Sequence, residues 1–353
     1  LNKEALGWNS HFEKAFEPYL TEGYRAGRVS LEHKHMYRVL TESGEVLAEV
    51  SGKMRHMALH REDYPAVGDW VIVAVREEEQ RATIHAILPR RSKFSRKVAG
   101  QVTEEQIVAT NVDTVFLVTA LNLDFNIRRI ERYLVLAWES GATPVIVLSK
   151  ADLCSDPEAL AAEVAAVAVG VPVHVISSAE NRGLDELASY MAPGRTIALL
   201  GSSGVGKSTL VNRIYGKEIL QTGDIREGDD KGKHTTTHRE LIALPDGGIL
   251  IDTPGMRELQ LWDASEGLST SFQDIEELAQ SCYFQDCKHE NEPKCAVKSA
   301  LADGTLPQER FHNYVKLQKE LAYLARKEDE SLQLAEKAKW KKIHQSLKNQ
   351  HNR

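Results

Sequence analysis

The chain has 353 residues, of which 42% are hydrophobic and 27% charged, and its net charge is −7. That length predicts two or three domains, and the acidic balance excludes a chain that binds nucleic acid through bulk positive charge. No apolar run reaches the ~18 residues of a membrane span.

Leu1 to Ser10 shows no basic start followed by an apolar core, so the expected compartment is the cytoplasm, with no membrane partner and a monomer as the default state. Residues 1–28 read as an amphipathic extension carrying Trp8, Phe12, Phe16, Tyr19 and Leu20. Over 29–100 the pattern becomes strand-like. Tyr37 to Leu40 and Glu45 to Val50 flank a Ser43-Gly44 turn, and Gly68 to Val73 and Arg81 to Leu88 add two strands. Short strands with glycine turns predict a small barrel of the oligonucleotide-binding (OB) kind. Fold alone does not establish RNA binding, and a purely structural barrel is the alternative.

Residues 101–262 alternate between two periods. Val115 to Ala120, Pro144 to Leu148, Val171 to Ile176, Ile197 to Leu200 and Ile249 to Ile251 are apolar runs of strand length. Arg128 to Ser140, Ala159 to Val169 and Lys207 to Ile214 have helical spacing. Such alternation predicts a parallel sheet with helical crossovers. Residues 263–353 read as helical, with Asp274 to Ala279, a cysteine cluster, and a long stretch from Glu309 to Leu347. From Arg326 to Arg353 eight Lys/Arg stand against four Asp/Glu, which suits an interaction tail or a solvated helix face. The predicted fold class is multidomain α/β.

Three loops carry the chemistry. Gly201-Ser202-Ser203-Gly204-Val205-Gly206-Lys207-Ser208, followed by Thr209, fits G-x-x-x-x-G-K-[ST] between a strand and a helix. Its glycines let backbone N–H groups turn toward phosphates, Lys207 neutralises β/γ charge, and Ser208 is a Mg²⁺ ligand. Asp252-Thr253-Pro254-Gly255 closes a later apolar strand. Asp252 there can hold a Mg²⁺-bound water, and Gly255 can offer its N–H to a γ-phosphate. Ser149-Lys150-Ala151-Asp152 lies about fifty residues before the phosphate loop. Asp152 can accept from the guanine N1–H and exocyclic amine, a donor pair that adenine lacks. Lys150 would lie over the ring. Ser177-Ser178-Ala179 follows the next strand and suits a loop that supports the guanine carbonyl. A base-reading loop ahead of the phosphate loop reverses the usual order and predicts a circularly permuted GTPase.

Lys233-His234-Thr235-Thr236-Thr237 lies between the phosphate loop and Asp252. Thr236 is the candidate to complete the Mg²⁺ shell once GTP is bound, and an inert surface loop is the alternative. The residue after Gly255 is Met256, where a water-orienting glutamine is common. His234 is the candidate replacement, since neutral imidazole can accept a hydrogen bond from water. Cys282, Cys287, His289 and Cys295 offer three thiolates and one imidazole. That set suits a structural Zn²⁺ with no open position, with free buried cysteines as the alternative.

Together these residues resemble the RsgA family of circularly permuted, small-subunit-dependent GTPases. The resemblance covers nearly the whole chain and rests on Gly201 to Thr209, Lys233 to Thr237, Asp252 to Gly255 and the Cys/Cys/His/Cys spacing. Gln106 to Asp113 looks like the family's lead-in to its GTPase domain. The resemblance implies subunit-stimulated GTP hydrolysis late in small ribosomal subunit maturation, with GTP/GDP, the subunit and its rRNA as partners and with Mg²⁺ and one Zn²⁺ as cofactors. It maps the family's catalytic histidine onto His234 and its zinc ligands onto Cys282, Cys287, His289 and Cys295. Ser149 stands where the family's asparagine is usual. That substitution and Met256 leave open a GTP-binding RNA adaptor that does not hydrolyse.

Overall fold

The computed structural model describes residues 2–33, 35–98, 104–123, 125–220, 240–252 and 265–326. They separate into two units, Leu1–Arg96 with Gln106–Leu259, and Lys97–Glu105 with Gln260–Arg353.

The first unit opens with α1 (Ser10–Phe16), whose Asn9 cap accepts from the His11 N–H. Leu6, Trp8, Phe12 and Phe16 are buried together with Trp70, Ile72 and Leu88. The Trp8 and Trp70 rings meet edge to face at 4.8 Å. The N-terminal aromatics are thus part of a core rather than an appendage. A barrel follows, built from β1 (Arg25–His33), β2 (Met36–Thr41), β3 (Gly44–Val50), β4 (Trp70–Arg76) and β5 (Arg81–Ile87), with α2 (Gly52–Met57) after β3. Its first strand begins inside the segment 1–28. The strands run in the order β1-β2-β3-β5-β4 and close where β4 pairs with β1, Arg28 opposite Trp70. The β3–β5 pair is parallel and the others are antiparallel. This is the five-stranded path of an OB barrel. Alternation along β3 sends Val46, Ala48 and Val50 inward, where they join Val29, Val39, Val71 and Ile84.

After β6 (Lys93–Val98) and β7 (Glu104–Thr110), the chain builds β8 (Thr114–Ala120), α3 (Ile127–Ser140), β9 (Thr143–Ser149), α4 (Pro157–Val167), β10 (Val173–Val175), β11 (Thr196–Leu200), α5 (Lys207–Tyr215), β12 (Glu240–Ala243) and β13 (Ile249–Asp252). The order is β10-β9-β8-β11-β13-β12. All neighbours are parallel except β12–β13. Strands β8, β9 and β11 are buried on both faces, which is why they read as continuous apolar runs. Asn126 and Asp156 cap α3 and α4, and Gly141 ends α3 in the left-handed conformation.

Two strands of this sheet differ from the sequence expectation. The strand expected over Val171 to Ile176 has only three paired residues. The four-residue β12 precedes a Pro245-Asp246 turn and was too short to read. It pairs on its outer edge with β1, Leu31 opposite Glu240, and so joins barrel and parallel sheet into one 11-stranded sheet. Arg28 pins the same junction. It is buried, donates to the carbonyls of Leu6, Gly68 (3.2 Å) and Asn111 (3.1 Å), and lies 5.8 Å over the Trp70 ring. Burial pulls its guanidinium down to about 10.

The second unit contains α6 (Ser265–Ser271), α7 (Gln273–Gln280), α8 (Ala296–Ala302) and a helix over 308–326. Phe272, Ile275, Val297, Leu306 and Leu317 are buried. Arg310 makes a two-pronged pair with Asp274, at 2.7 and 2.8 Å, and lies 4.7 Å over Phe272. The long helix expected to Leu347 passes beyond the described residues after 326. Among the described residues no helix is long and apolar enough to cross a membrane.

Candidate nucleotide site and metal centre

The phosphate loop, the candidate base-reading loop and Asp252, the one described residue of the Asp252-Thr253-Pro254-Gly255 motif, lie at one end of the parallel sheet. The phosphate loop follows β11, Asp252 ends β13, and Ser149 ends β9. All three are carboxyl ends of parallel strands. The chain leaves β8 toward β9 on one side, whereas β13 lies on the other side of β11. A crevice at such a reversal is where open α/β sheets take their ligands.

The phosphate loop requires glycine at its first position. A Cβ on Gly201 would meet the Val118 carbonyl oxygen at 2.3 Å, so only glycine lets the loop lie against β8. Gly206, with φ +94°, turns the chain into α5. The Lys207 ammonium donates to the carbonyls of Gly201 and Ser202, both at 2.6 Å, and so lies across the loop. Ser203 and Gly204 are exposed, and Ser208 and Thr209 sit in the first turn of α5. Burial raises the Asp252 carboxyl above the ordinary carboxylate range, and the nearby Lys207 charge partly offsets this.

The base-reading loop is held by hydroxyls. Ser149 is buried, and its Oγ donates to the carbonyl of Val205 in the phosphate loop at 2.6 Å. Lys150 takes a left-handed backbone, with φ 57°. Asp152 Oδ1 accepts from Ser177 Oγ at 2.5 Å, so the two candidate guanine loops are joined directly. Ser177 also pairs with Arg182 through both backbone bonds, which shapes the turn carrying Ser178 and Ala179. Thr236, His234, Gly255 and Met256 lie outside the described residues.

Two further contacts to the phosphate loop come from α3. Arg129 Nη1 donates to Ser202 Oγ at 3.1 Å, and the Tyr133 hydroxyl lies 3.3 Å from the same atom. Neither residue stood out in the sequence, since a polar pair on a helix carries no motif.

The second unit brings Cys282, Cys287, His289 and Cys295 together, with their ligand atoms all within 4.8 Å of one another. Cys282 Sγ lies 3.8 Å from Cys295 Sγ, and His289 Nδ1 lies 3.4 Å from Cys295 Sγ and 3.7 Å from Cys282 Sγ. Ligands at about 2.3 Å around a tetrahedral Zn²⁺ stand about 3.8 Å apart, so the donor set fits that ion in both chemistry and spacing. Four protein ligands around such an ion would leave no position for substrate. At the nucleotide crevice, the hydroxyl and carboxylate oxygens of Ser208 and Asp252 are the hard donors that suit Mg²⁺.

Comparison with known proteins places this geometry in a family. Residues 87–262 match the family model described as RsgA GTPase, and residues 196–336 match one described as 50S ribosome-binding GTPase. A protein of Opitutus terrae named small ribosomal subunit biogenesis GTPase RsgA is 49% identical over 350 residues, covering 97% of this chain and 95% of the relative. Its namesake from Methanosarcina acetivorans is 43% identical over 98% of this chain and 93% of its own. Among solved structures, YjeQ from Thermotoga maritima superposes with a TM-score of 0.66 at 30% identity, covering 85% of this chain and 99% of that one. YloQ, described as a circularly permuted GTPase, gives 0.63 at 28% identity, covering 86% of this chain and 97% of that one.

Proposed function

Since the chain belongs to the RsgA family of circularly permuted GTPases, we propose that it hydrolyses GTP as a late maturation factor of the small ribosomal subunit and leaves the subunit upon hydrolysis. The observation that carries this reading is the meeting of the phosphate loop, Asp252 and Asp152 at the carboxyl ends of β11, β13 and β9. The relatives named for small ribosomal subunit biogenesis supply the partner. The protein acts in the cytoplasm as a monomer, with the OB barrel as a surface for rRNA.

In this reading Asp152 and Lys150 select and cover guanine, and Ser177, Ser178 and Ala179 line its carbonyl edge. The amides of 201–209 and the Lys207 ammonium hold the phosphates and stabilise charge on the transferring group. Ser208, Asp252 and Thr236 would hold Mg²⁺, which would supply positive charge to neutralise the nucleotide phosphates. Gly255 offers its N–H to the γ-phosphate. Met256 has no group to orient water, so His234 takes that role when the subunit is bound. Cys282, Cys287, His289 and Cys295 would hold Zn²⁺, which would fix the fold of the C-terminal module.

Phosphate release by wild type and His234→Ala, with GDP affinity measured alongside, tests the assignment of the water-orienting group. The expected result is a loss of subunit-stimulated turnover of at least about a hundredfold at unchanged GDP affinity. Full turnover in the variant would move that role elsewhere.

A further inference from the structure

We propose that Arg129 and Tyr133 of α3 are positioning residues for the phosphate loop and act through the hydroxyl of Ser202. The proposal rests on the reading of residues 201–208 as the phosphate site, and it adds a support that the loop motif does not contain.

Arg129 and Tyr133 stand four residues apart, so they rise from one face of the helix. Both reach Ser202 Oγ, at 3.1 and 3.3 Å. Ser202 is also the residue whose carbonyl accepts from Lys207 Nζ at 2.6 Å. One loop residue therefore bonds to α3 through its side chain and to the phosphate-facing ammonium through its backbone.

The platform behind these contacts is rigid. Ile130, Leu134 and Ala137 of α3 are buried, and the Asn126 side chain caps the helix by accepting from the Arg129 N–H at 3.1 Å. The cap thus fixes the backbone of the residue whose guanidinium reaches the loop. Other parts of the loop are held independently. Gly201 lies against Val118, and Val205 accepts from Ser149. Ser202 falls between these two anchors.

Phosphate loops bind through backbone N–H groups, so affinity depends on those groups already facing the ligand. A guanidinium-to-hydroxyl bond is charge-assisted and stronger than a neutral one. Removing it loosens the loop for GDP and GTP alike, because the loop meets the phosphates common to both. The chemical step at saturation changes little.

The experiment measures affinity for GDP and GTP with Mg²⁺ present, together with kcat, KM and thermal unfolding, in Arg129→Ala, Arg129→Lys, Tyr133→Phe, Ser202→Ala and the Arg129→Ala/Ser202→Ala double variant. Arg129→Ala is expected to weaken both nucleotides by about tenfold, with kcat within about twofold and Tm unchanged, and Ser202→Ala to weaken them by at least as much. Arg129→Lys restores part of the affinity, and Tyr133→Phe costs about two- to threefold. The double variant is no weaker than Ser202→Ala, because that single variant already removes both contacts to Ser202 Oγ. Additive losses, or unchanged affinity in Arg129→Ala, overturn the proposal while leaving the phosphate site intact. Failure of the wild-type chain to bind GDP overturns the site itself and this support with it.

Discussion

The hydroxyl of Ser149, at the end of β9, donates to the carbonyl of Val205 in the phosphate loop at 2.6 Å. The candidate base-reading and phosphate-binding loops are distant in sequence and follow different strands, yet one short buried side chain joins them. Serine at this position therefore gives the strand end a direct bond to the phosphate loop.

Ser149→Ala leaves the buried Val205 carbonyl without this donor. The expected cost is about 1–3 kcal/mol in stability and a several-fold weaker Kd for GDP. Ser149→Thr keeps the hydroxyl and holds affinity close to wild type. Chemical denaturation and nucleotide titration measure the two effects. Equal behaviour of the alanine and threonine variants would mean that the hydroxyl does not serve as the tether.

Asp152 can be tested by matching donors to acceptors. A carboxylate suits the N1–H and exocyclic amine of guanine, whereas an amide presents donors to a base that carries a carbonyl in place of the amine. Asp152→Asn is expected to lose at least about a hundredfold in GTP affinity, the scale of a buried polar group left without its partner, and to gain affinity for xanthosine triphosphate. Competition between the two nucleotides reads this out. Unaltered preference would remove Asp152 from the base site.

Asp252 carries a pH signature. Burial favours its neutral form and raises its folded-state pKa above that of the unfolded chain. The folded state therefore binds this proton more tightly. The nucleotide-free protein loses the corresponding stability as pH rises from below the ordinary carboxylate range through the raised value. Asp252→Asn is expected to raise the Tm of the nucleotide-free protein at neutral pH by a few degrees and to remove the Mg²⁺ dependence of GTP binding. A lower Tm together with intact Mg²⁺ dependence would contradict this placement.

For the cysteine centre, one metal per chain is expected, identified as zinc by elemental analysis. Cys287→Ser removes one of four ligands and is expected to release the ion to a chelator at least about tenfold faster and to unfold the C-terminal module at lower temperature. Zinc-free protein with an unchanged melting profile would show that the cluster does not need the metal.

Much of this architecture was legible in the residues. Val115 to Ala120 and Pro144 to Leu148 read as buried strands because both their faces are covered. Gly201 to Ser208 stood out as a candidate phosphate loop because a loop that wraps phosphate tolerates few residue types. Tertiary partners were not legible. Nothing in Glu240 to Ala243 foretells an edge that pairs with Leu31 of the barrel, and a four-residue strand is too short to show a period. Trp8 and Phe12 read as an amphipathic start, but their packing on Trp70 depends on a strand some sixty residues away. Nothing in the sequence marks Arg28, whose hydrogen-bond acceptors, the carbonyls of Leu6, Gly68 and Asn111, come from three separate segments. Ser149 looked like a weakened motif because its compensating bond is to a residue far along the chain.

The most direct measurement is phosphate release from GTP by the full chain, with and without purified small ribosomal subunits. The account predicts slow turnover alone and a rise of at least about a hundredfold with subunits, in the range by which a partner completes a GTPase site. GTP binding with no release of phosphate under either condition would contradict it, and would leave a nucleotide-binding adaptor in its place.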